Sequence, residues 1–341
     1  MKDIKSYNLI ELENEIKQMK LPKFRAKQIY KWLHIDFVNS FDEMLNLPKD
    51  LRLKLAENYE IKTCYIEKKL VSKIDETVKY LFKLSDGEFI ESVVMKYKYG
   101  YTICVSSQVG CRMGCKFCAS TLNGLQRSLM PSEILSQIYT AQKDLNIRIS
   151  HIVLMGMGEP LDNYDNVIKF LELVNDENGI NISMRNISLS TCGVVPGIYD
   201  LMALDLQLTL SISLHAPNDE IRNQTMPVNK KWNIDALLKA CKDYTDKTSR
   251  RISFEYTLID GVNDSEKCAV ELSNKLKNIL CHVNLIPVNE VKENDFKKSS
   301  SKNIENFMKM LKKRGINATI RRTLGSDINA SCGQLRRNSV K

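Results

Sequence analysis

The sequence lacks any long apolar run, which limits where the protein can reside. It contains no uninterrupted stretch of about 18 apolar residues, the length that a membrane-spanning helix requires. The N-terminal stretch MKDIKSYNLIELENE also lacks the apolar core of a secretory signal peptide. We therefore expect a cytoplasmic protein that does not enter a membrane.

The sequence also has no internal repeat and no long low-complexity segment, since KKSSSK at 297–302 is only a short polar stretch. Hydrophobic residues make up 43% and charged residues 27% of its 341 positions, an ordinary composition for a folded protein. This composition excludes a mainly disordered chain. The length favours one large domain or two domains of unequal size.

Charge of one sign is in excess only near the C-terminus. Residues 291–341 contain 13 basic and 4 acidic side chains, and the preceding 290 residues contain 37 of each. The last segment therefore carries the whole net charge of +9. A polyanion that docks at this end of the molecule would account for the excess, and a solvated basic tail would account for it equally well.

The sequence has ten cysteines but no export signal. Disulfides are rarely structural in a reducing cytosol, so cysteines there indicate metal binding, redox chemistry or small buried side chains. Three form a C-x3-C-x2-C pattern within CRMGCKFC: Cys111, Cys115 and Cys118. Five stand alone in apolar surroundings and are interpreted as core residues: Cys64, Cys192, Cys241, Cys268 and Cys281. The remaining two are Cys104, in an apolar run, and Cys332, in a polar basic tail typical of an exposed thiol.

The period at which hydrophobic residues recur changes along the chain and divides it into parts. Apolar residues recur at helical spacing through residues 1–60, with basic side chains between them. Residues 61–99 alternate in VKYLFKL and FIESVVM around Asp86-Gly87, which predicts a short antiparallel hairpin. We expect four units with these bounds: 1–60, 61–99, 100–325 and 326–341.

From residue 101 the chain alternates β-branched runs with amphipathic segments. The predicted strands are YTICVSS, ISHIVLM, NISLST, LQLTLSIS, RISFEYTLI, HVNLIPV and NATIRR. The predicted helices begin at Pro131 and lie near 163–175, 233–246, 264–279 and 301–314. Repeated βα units imply parallel strands joined by right-handed crossovers, and hence an open α/β sheet or a barrel. Functional sites in such folds gather at the carboxyl ends of the strands.

The cysteine cluster directly follows the strand YTICVSS. Three thiolates on one loop can bind zinc or an iron–sulfur cluster, but no nearby fourth Cys or His completes a closed zinc site. A four-iron cluster with three cysteine ligands keeps one iron open for another ligand. The spacing is typical of radical S-adenosylmethionine (SAM) enzymes, in which the amino and carboxylate groups of SAM fill that position.

A second motif, Gly156-Met157-Gly158-Glu159-Pro160, directly follows the strand ISHIVLM. Glycine lets backbone groups approach a ligand closely, and a carboxylate can receive an ammonium group. A lone glycine motif is more often a turn. One βα unit after the cysteine cluster, however, this motif resembles the GGEP element that holds the methionine amino group in the radical SAM superfamily.

Longer strings extend the resemblance over essentially the whole chain. CVSSQVGCRMGCKFC, MGMGEPL, LSTCGVVPGI, SLHAPND, MPVN, NLIPVN and SDINASCGQL together resemble the RlmN/Cfr family of radical SAM RNA methyltransferases. The resemblance implies an α/β fold, a partial (β/α)6 TIM-like barrel with a small helical RNA-binding accessory domain and a short β-hairpin. It also implies methylation of carbon 2 of adenosine in the peptidyl transferase centre of 23S rRNA and in tRNA anticodon loops. The implied cofactors are SAM, two molecules per turnover, and one 4Fe-4S cluster on the three clustered cysteines.

The resemblance assigns catalytic roles as well. Carbon 2 of adenine has no available lone pair, so a radical route is needed to methylate it. The resemblance implies that Cys332 is methylated first, that a radical derived from a second SAM abstracts a hydrogen of this methyl group, and that the methylene adds to the base. It implies that Glu91 then accepts the C2 proton and that Cys104 attacks the sulfur of Cys332 to form a transient disulfide. The implied SAM contacts are Gly158, Glu159, Ser190, Ser213, Leu214, His215 and Asn289.

Plainer interpretations exist for several of these residues. Without the resemblance, Cys104 would be a core residue, Glu91 a solvated carboxylate and His215 a buried structural histidine. Two other functions also remain open. One is a Cfr-type methyltransferase that acts on carbon 8 of the same rRNA adenosine, and the other is an RNA-binding protein with a structural zinc.

The expected partners are 23S rRNA, tRNA and a reducing electron donor such as flavodoxin, with the chain acting as a monomer. The basic C-terminal segment brackets Cys332, the residue that would bond to RNA. This position favours RNA docking over a merely solvated tail. The arginines around Cys332 in sequence are Arg314, Arg321, Arg322, Arg336 and Arg337.

Overall fold

The computed structural model describes residues 1–289, 295–331 and 333–335. Three predicted residues, Cys332, Arg336 and Arg337, lie outside the described residues. Within the described part, none of the helices is both long and apolar enough to span a bilayer.

Three helices form the N-terminal part: α1 (Leu9–Gln18), α2 (Phe24–His34) and α3 (Lys49–Asn58). Two short parallel strands, β1 (Lys2–Asp3) and β2 (Tyr59–Glu60), join its two ends. A capping box starts α1, because the Asn8 side chain accepts from the Glu11 N–H and the Glu11 carboxylate accepts from the Asn8 N–H. The helical prediction for this region is confirmed.

The remaining strands are β3 (Cys64–Val71), β4 (Val78–Leu84), β5 (Phe89–Tyr97), β6 (Gly100–Cys104), β7 (Gln108–Gly110), β8 (Leu125–Ser128), β9 (Ile149–Leu154), β10 (Ile187–Thr191), β11 (Thr209–Ser213), β12 (Ile252–Leu258), β13 (Cys281–Pro287) and β14 (Ala318–Ile320). All except β7 and β8 belong to one mixed sheet, in the order β14-β13-β12-β11-β10-β9-β6-β5-β4-β3. β7 and β8 pair as a separate small hairpin.

Helices connect the parallel strands of this sheet: α4 (Pro131–Leu145), α5 (Tyr164–Asn175), α6 (Val195–Ala203), α7 (Asp219–Thr225), α8 (Ile234–Thr248), α9 (Glu266–Leu276) and α10 (Ser301–Lys313). Six crossovers, each containing at least one helix, connect the seven parallel strands β6, β9, β10, β11, β12, β13 and β14. In the described chain the sheet ends in two edge strands, β14 and β3. The prediction of an α/β fold with a partial (β/α)6 barrel is confirmed.

All seven predicted strands and all five predicted helices of the α/β part are present. Two further helices, α6 and α7, were not predicted. The sequence of α6, VPGIYDLMA, has only nine residues, with Gly197 among them and Asp200 as its one charged residue, so its amphipathic period is hard to recognise. A β-carbon on Gly197 would lie 3.0 Å from the Leu161 side chain, so a larger residue there would require that side chain to shift. α7 has only seven residues, too few to establish a period.

The predicted hairpin consists of β4 and β5, joined at Asp86-Gly87, and is confirmed. It is larger than expected, because β3 pairs with β4 and β5 pairs with β6. Residues 61–99 therefore extend the main sheet by three antiparallel strands. The unpredicted strand β3, CYIEKKLV, is mostly exposed and rich in charged residues, so it gives little β signal.

Candidate functional site

The carboxyl ends of the parallel strands enclose one large cavity. It contains about 930 Å³ of space, part of it open to solvent, which is the size range of small-ligand sites. Nine of the predicted site residues line it: Cys111, Cys115, Cys118, Gly158, Glu159, Ser190, Ser213, His215 and Asn289. We refer to this space as the first cavity. Its place at the strand ends is the one expected for such folds.

The cysteine loop is held in place from several sides. The Cys111 N–H donates to the Gly124 carbonyl at 3.1 Å, and the Lys116 N–H donates to the Thr225 carbonyl at 2.9 Å. Gly110 precedes the loop with a φ of +77°, and a β-carbon on it would lie 1.9 Å from the Gly124 oxygen. Only glycine therefore allows the two ends of the loop to approach this closely.

The three thiols suit an iron–sulfur cluster better than a single metal ion. Burial raises the pKa of Cys111 to about 12 and that of Cys115 well above its usual value, so their thiolates need strong positive charge nearby. Zinc needs ligands around one point, and in the described residues no three His, Cys, Asp or Glu side chains meet in that way. A cluster takes its cysteines on different iron atoms. Three separate thiols on one cavity wall fit that arrangement.

Glu159 is a buried carboxylate in the wall of the first cavity. Its two oxygens accept the Leu161 N–H at 3.1 Å and the Cys192 N–H at 2.8 Å. Burial raises its pKa, and these hydrogen bonds oppose that effect. No ion pair among the described residues involves it. A buried carboxylate held in this way provides a place for an ammonium group.

The glycines of the Gly-Met-Gly-Glu-Pro motif serve chain packing. A β-carbon on Gly156 would lie 2.6 Å from the Val105 oxygen, and one on Gly158 would lie 2.6 Å from the Gln108 β-carbon. Gly158 also has a φ of +100°. The sequence interpretation attributed these glycines to close approach of a ligand. In the structure they let the loop after β9 lie directly against the chain that follows β6, while Gly158 still lines the first cavity.

His215 is both a satisfied buried histidine and a cavity residue. Its Nδ1 accepts the Thr257 N–H at 2.9 Å, which places the ring hydrogen of the neutral form on Nε2. Burial, aided by the nearby charge of Arg222, lowers its pKa to about 3, so the ring is neutral at physiological pH. The hydroxyl groups of Ser190 and Ser213 lie 3.4 Å apart on the same cavity wall.

Leu214 differs from the other predicted SAM contacts. It is buried and is not among the residues that line the first cavity. Its carbonyl accepts the Nε–H of Arg222 at 3.1 Å. Cys192, whose carbonyl also accepts from Arg222, was interpreted as a core residue. It is buried, but it lines the first cavity.

Sequence reasoning missed Arg222, which is fully buried behind the cavity wall. Besides Leu214, its guanidinium donates to the Asn229 side chain at 2.9 Å and to the Cys192 carbonyl at 2.6 Å. These bonds join the ends of β10 and β11 to the MPVN string. An arginine between SLHAPND and MPVN gives no sequence signal for this role, because its partners are mostly backbone carbonyls.

A second cavity adjoins the first one and contains Cys104. The two cavities share four lining residues: Met155, Ile286, Asn289 and Arg321. The second cavity encloses about 560 Å³ and is otherwise lined from β5, from the end of β13, from the chain after β14 and from the C-terminal segment. Cys104 is thus a buried residue of the core that also faces a cavity.

Glu91 lies on the same face of the sheet as Cys104. Val93 pairs with Cys104 across β5 and β6, and Glu91 stands two residues before Val93, so the three share a face. Glu91 is 1% exposed, so its interpretation as a solvated carboxylate is wrong. Its Oε1 lies 3.0 Å from the Nζ of Lys79, and it does not line either cavity.

The described residues around Cys332 lie at both cavities. Ser331 lines the second cavity and Gly333 lines the first. Of the arginines near Cys332 in sequence, Arg321 lines both cavities and Arg322 lines the second. Arg314 lies elsewhere, because it ends α10 at the opposite end of the barrel and bonds to Ser273 and Asn274 of α9.

Two family models match this chain. A model of the radical SAM superfamily matches residues 105–272, which include the cysteine loop and the Gly-Met-Gly-Glu-Pro motif. A model of the ribosomal RNA large subunit methyltransferase N-terminal domain matches residues 2–61.

Curated relatives and a solved structure match the chain over its length. It is 55% identical over 341 residues to the probable dual-specificity RNA methyltransferase RlmN of Clostridium novyi (strain NT), which covers 100% of this chain and 99% of that protein. It is 56% identical over 339 residues to the protein of the same name from Alkaliphilus oremlandii (strain OhILAs), with 99% and 98% covered. The crystal structure of a radical SAM methyltransferase from Sphaerobacter thermophilus superposes with a TM-score of 0.94 at 40% identity, covering 99% of this chain and 100% of that one.

Proposed function

This chain belongs to the RlmN family of radical SAM RNA methyltransferases, and from that premise we propose that it methylates carbon 2 of adenosine in 23S rRNA and in tRNA. The observation that carries the proposal is the pair of adjoining cavities at the strand ends. One contains three cysteines and a buried carboxylate, and the other contains a further buried cysteine. A methyl group can therefore be taken from SAM on one side and handled by thiol chemistry on the other.

The first cavity is the cofactor side. Cys111, Cys115 and Cys118 would hold a 4Fe-4S cluster, which when bound and reduced supplies the electron that cleaves SAM. Glu159 receives the ammonium group of SAM, since its carboxylate is buried and already oriented by two backbone N–H groups. The remaining polar groups of this wall contact the ribose, carboxylate and adenine of SAM: Gly158, Ser190, Ser213, His215 and Asn289. Leu214 contributes through its position beside Ser213 and His215.

The second cavity is the side on which the base is modified. Cys332 carries the methyl group, and its described neighbours Ser331 and Gly333 line the two cavities. Cys104 resolves the adduct by attacking the sulfur of Cys332, after Glu91 has taken the proton from C2. Glu91 and Cys104 lie on the same face of the sheet, which supports these two roles.

Carbon 2 is favoured over carbon 8. The full-length relatives carry the RlmN name, so a Cfr-type activity on the same adenosine is not favoured. A zinc-binding RNA-binding protein is likewise not favoured, because the match to a radical SAM methyltransferase structure covers nearly the whole chain.

Further features follow from the same function. Residues 1–60 are proposed to be the accessory RNA-binding unit, 61–99 the hairpin with the base, 100–325 the barrel and 326–341 the cysteine segment.

Arg321 and Arg322 are the described arginines near the cavities and are proposed to attract RNA phosphates. The electron donor is proposed to be of flavodoxin type. A cytoplasmic monomer fits these substrates, because one chain supplies both cavities.

Nucleoside mass spectrometry of a strain that lacks the gene tests the proposal. We expect 2-methyladenosine to disappear from both 23S rRNA and tRNA and to return when the gene is restored. Persistence of 2-methyladenosine in both RNAs would overturn the proposal, and loss of 8-methyladenosine instead would indicate the Cfr-type activity.

A further inference from the structure

Lys79 is a buried lysine that contacts two functionally important parts of the molecule. Its Nζ lies 3.0 Å from Oε1 of Glu91 and donates to the Asn329 carbonyl at 3.1 Å. The side chains of Lys79 and Glu91 are only 9% and 1% exposed. Lys79 stands opposite Val93 on β4, so it shares the face of the sheet that carries Glu91 and Cys104. One ammonium group therefore joins the proposed base to the C-terminal segment.

The C-terminal segment is attached to the hairpin at other points too. The Asp327 carboxylate accepts from the Ser72 hydroxyl at 2.7 Å and from the Lys73 N–H at 2.9 Å. The Gly325 N–H donates to the Asp75 carboxylate at 2.8 Å. These bonds hold residues 325–331 on the turn between β3 and β4. They do not involve Glu91, and among these attachments only the Lys79 bond reaches the base.

A buried ion pair usually contributes little to the stability of the folded state. Removing two charges from water costs several kcal/mol per ion, and their attraction often does no more than offset that cost. Burial of the Lys79–Glu91 pair therefore needs a reason other than stability. The bond to Asn329 supplies one, because it makes the position of the ammonium depend on the docked segment.

We propose that Lys79 is a positioning residue, which fixes the carboxylate of Glu91 for proton removal only while the segment that precedes Cys332 is docked. This inference rests on the proposed function, in which Glu91 accepts the C2 proton. In that step the C2–H bond breaks, the proton binds the Glu91 carboxylate, and the electron pair of the broken bond remains with the adenine ring. The unpaired electron that radical addition left on the ring passes to a one-electron acceptor, the oxidised iron–sulfur cluster. Lys79 holds the oxygen in place and compensates its charge before the transfer.

The proposal predicts that Lys79 matters for one half of the reaction and not for the other. Methylation of Cys332 and formation of the protein–RNA adduct precede proton removal, so they do not need Glu91. Resolution of the adduct does need it. Loss of the ammonium should therefore leave the first half intact and stop the reaction at the adduct.

Single-turnover assays of the full-length, cluster-reconstituted protein test this inference. Wild type and Lys79→Met are incubated anaerobically with SAM, a reductant and an rRNA fragment. Cys332 methylation is followed by peptide mass spectrometry, the adduct by denaturing gel and 2-methyladenosine by nucleoside analysis. For Lys79→Met we expect normal Cys332 methylation, an accumulating adduct and a 2-methyladenosine rate lowered about 100-fold, the scale of one lost acid–base contribution. Lys79→Arg should resolve the adduct faster than Lys79→Met, because it retains a cation.

Asp327→Ala is the matched control, because it loosens the same segment without touching Glu91. We expect it to slow adduct formation without accumulation of the adduct, because the bond between Cys332 and the base keeps the segment docked once the adduct exists. Wild-type product formation by Lys79→Met, or losses that parallel those of Asp327→Ala, would overturn the proposal. If Lys79→Met does not retain iron, Lys79→Gln replaces it in the same three assays, with the same expected results. A wild-type protein that makes no 2-methyladenosine would instead refute the proposed function itself, and the role of Lys79 with it.

Discussion

The two cavities are neighbours, yet they are built in different ways. The first is formed by loops that follow successive parallel strands, so its residues occur in the order in which the sheet is laid down. The second shares residues of these parallel strands but adds the antiparallel strand β5 and a C-terminal segment that meets the sheet over long sequence separations. Lys79 and Asn329, for example, are 250 positions apart. A parallel α/β sheet thus provides the proposed cofactor site by its own geometry, whereas the proposed thiol and base site also depends on attachments outside the barrel.

This contrast predicts that the two cavities fail in different ways. Damage to the first should lower Cys332 methylation and RNA methylation together, because both begin with SAM bound there. Damage to the second should stop the reaction at an intermediate.

The largest effect is expected for the cluster ligands. Cys118→Ala removes one of three thiols, and a cluster already short of a fourth cysteine is not retained on two. Iron content should fall to background and RNA methylation should become undetectable. Iron analysis and nucleoside mass spectrometry of the same preparation measure this, and a variant with full iron and normal methylation would contradict the assignment.

A different failure is expected when the second cavity is changed. Cys104→Ala should keep its iron and still methylate Cys332, but without the resolving thiol the protein–RNA adduct should accumulate. We expect 2-methyladenosine formation to fall about 100-fold or more, as for loss of a reacting group. The adduct is visible on a denaturing gel. Normal turnover by this variant would remove the distinction between the two cavities.

A smaller effect is expected for Glu159→Gln in the first cavity. The change keeps the shape of the side chain but removes the charge that pairs with an ammonium group, a contribution of about 1.5–3 kcal/mol. SAM affinity should fall about 10- to 100-fold. Equilibrium dialysis of the reconstituted protein measures it, and an unchanged affinity would place the ammonium group elsewhere.

The pH dependence of SAM binding sharpens this assignment. Burial raises the pKa of Glu159, so its carboxylate is protonated at a higher pH than an ordinary glutamate. Because the protonated form cannot pair with an ammonium group, SAM affinity should fall on acidification from neutral pH, beginning above pH 4.5. Glu159→Gln should lack this fall. His215, with its pKa of about 3, is neutral through the same range and does not account for it.

The smallest effect is expected outside both cavities. Lys5 is buried against Ser136 in the N-terminal part, and burial lowers its pKa to about 8 from 10.5. The folded state therefore disfavours its charged form, a cost that is complete below pH 8 and disappears as pH rises to 10.5. Lys5→Met should raise the free energy of unfolding by about 1 kcal/mol at pH 7. Denaturant unfolding measures this, and a destabilised variant would mean that the ammonium group is better compensated than its pKa indicates.

Much of the fold could be predicted from the sequence, because each parallel strand is a short β-branched run and each long helix is amphipathic. The cysteine loop and the Glu159 motif could be placed at the strand ends for a related reason. The loop comes shortly after β6, the motif comes directly after β9, and the ends of parallel strands converge. α6 and β3 were not predicted, because α6 is short with a single charged residue and β3 is mostly exposed.

The surroundings of the site residues could not be predicted in the same way. Arg222 supports the cavity wall through backbone carbonyls, and carbonyls leave no trace in a sequence. The burial of Glu91 depends on Lys79 and on a segment near the other end of the chain. Such long-range contacts follow from the sheet order, which local periodicity does not specify.

The most direct test of the proposed chemistry follows the hydrogens of the methyl group. The reconstituted protein is given SAM with a fully deuterated methyl group and an unlabelled RNA substrate. The mass of the 2-methyladenosine that forms is then measured by mass spectrometry. If one hydrogen is abstracted from methylated Cys332 before the carbon joins the base, the product should keep two of the three deuterium atoms. A product that retains all three would mean direct methyl transfer and would contradict the route through Cys332.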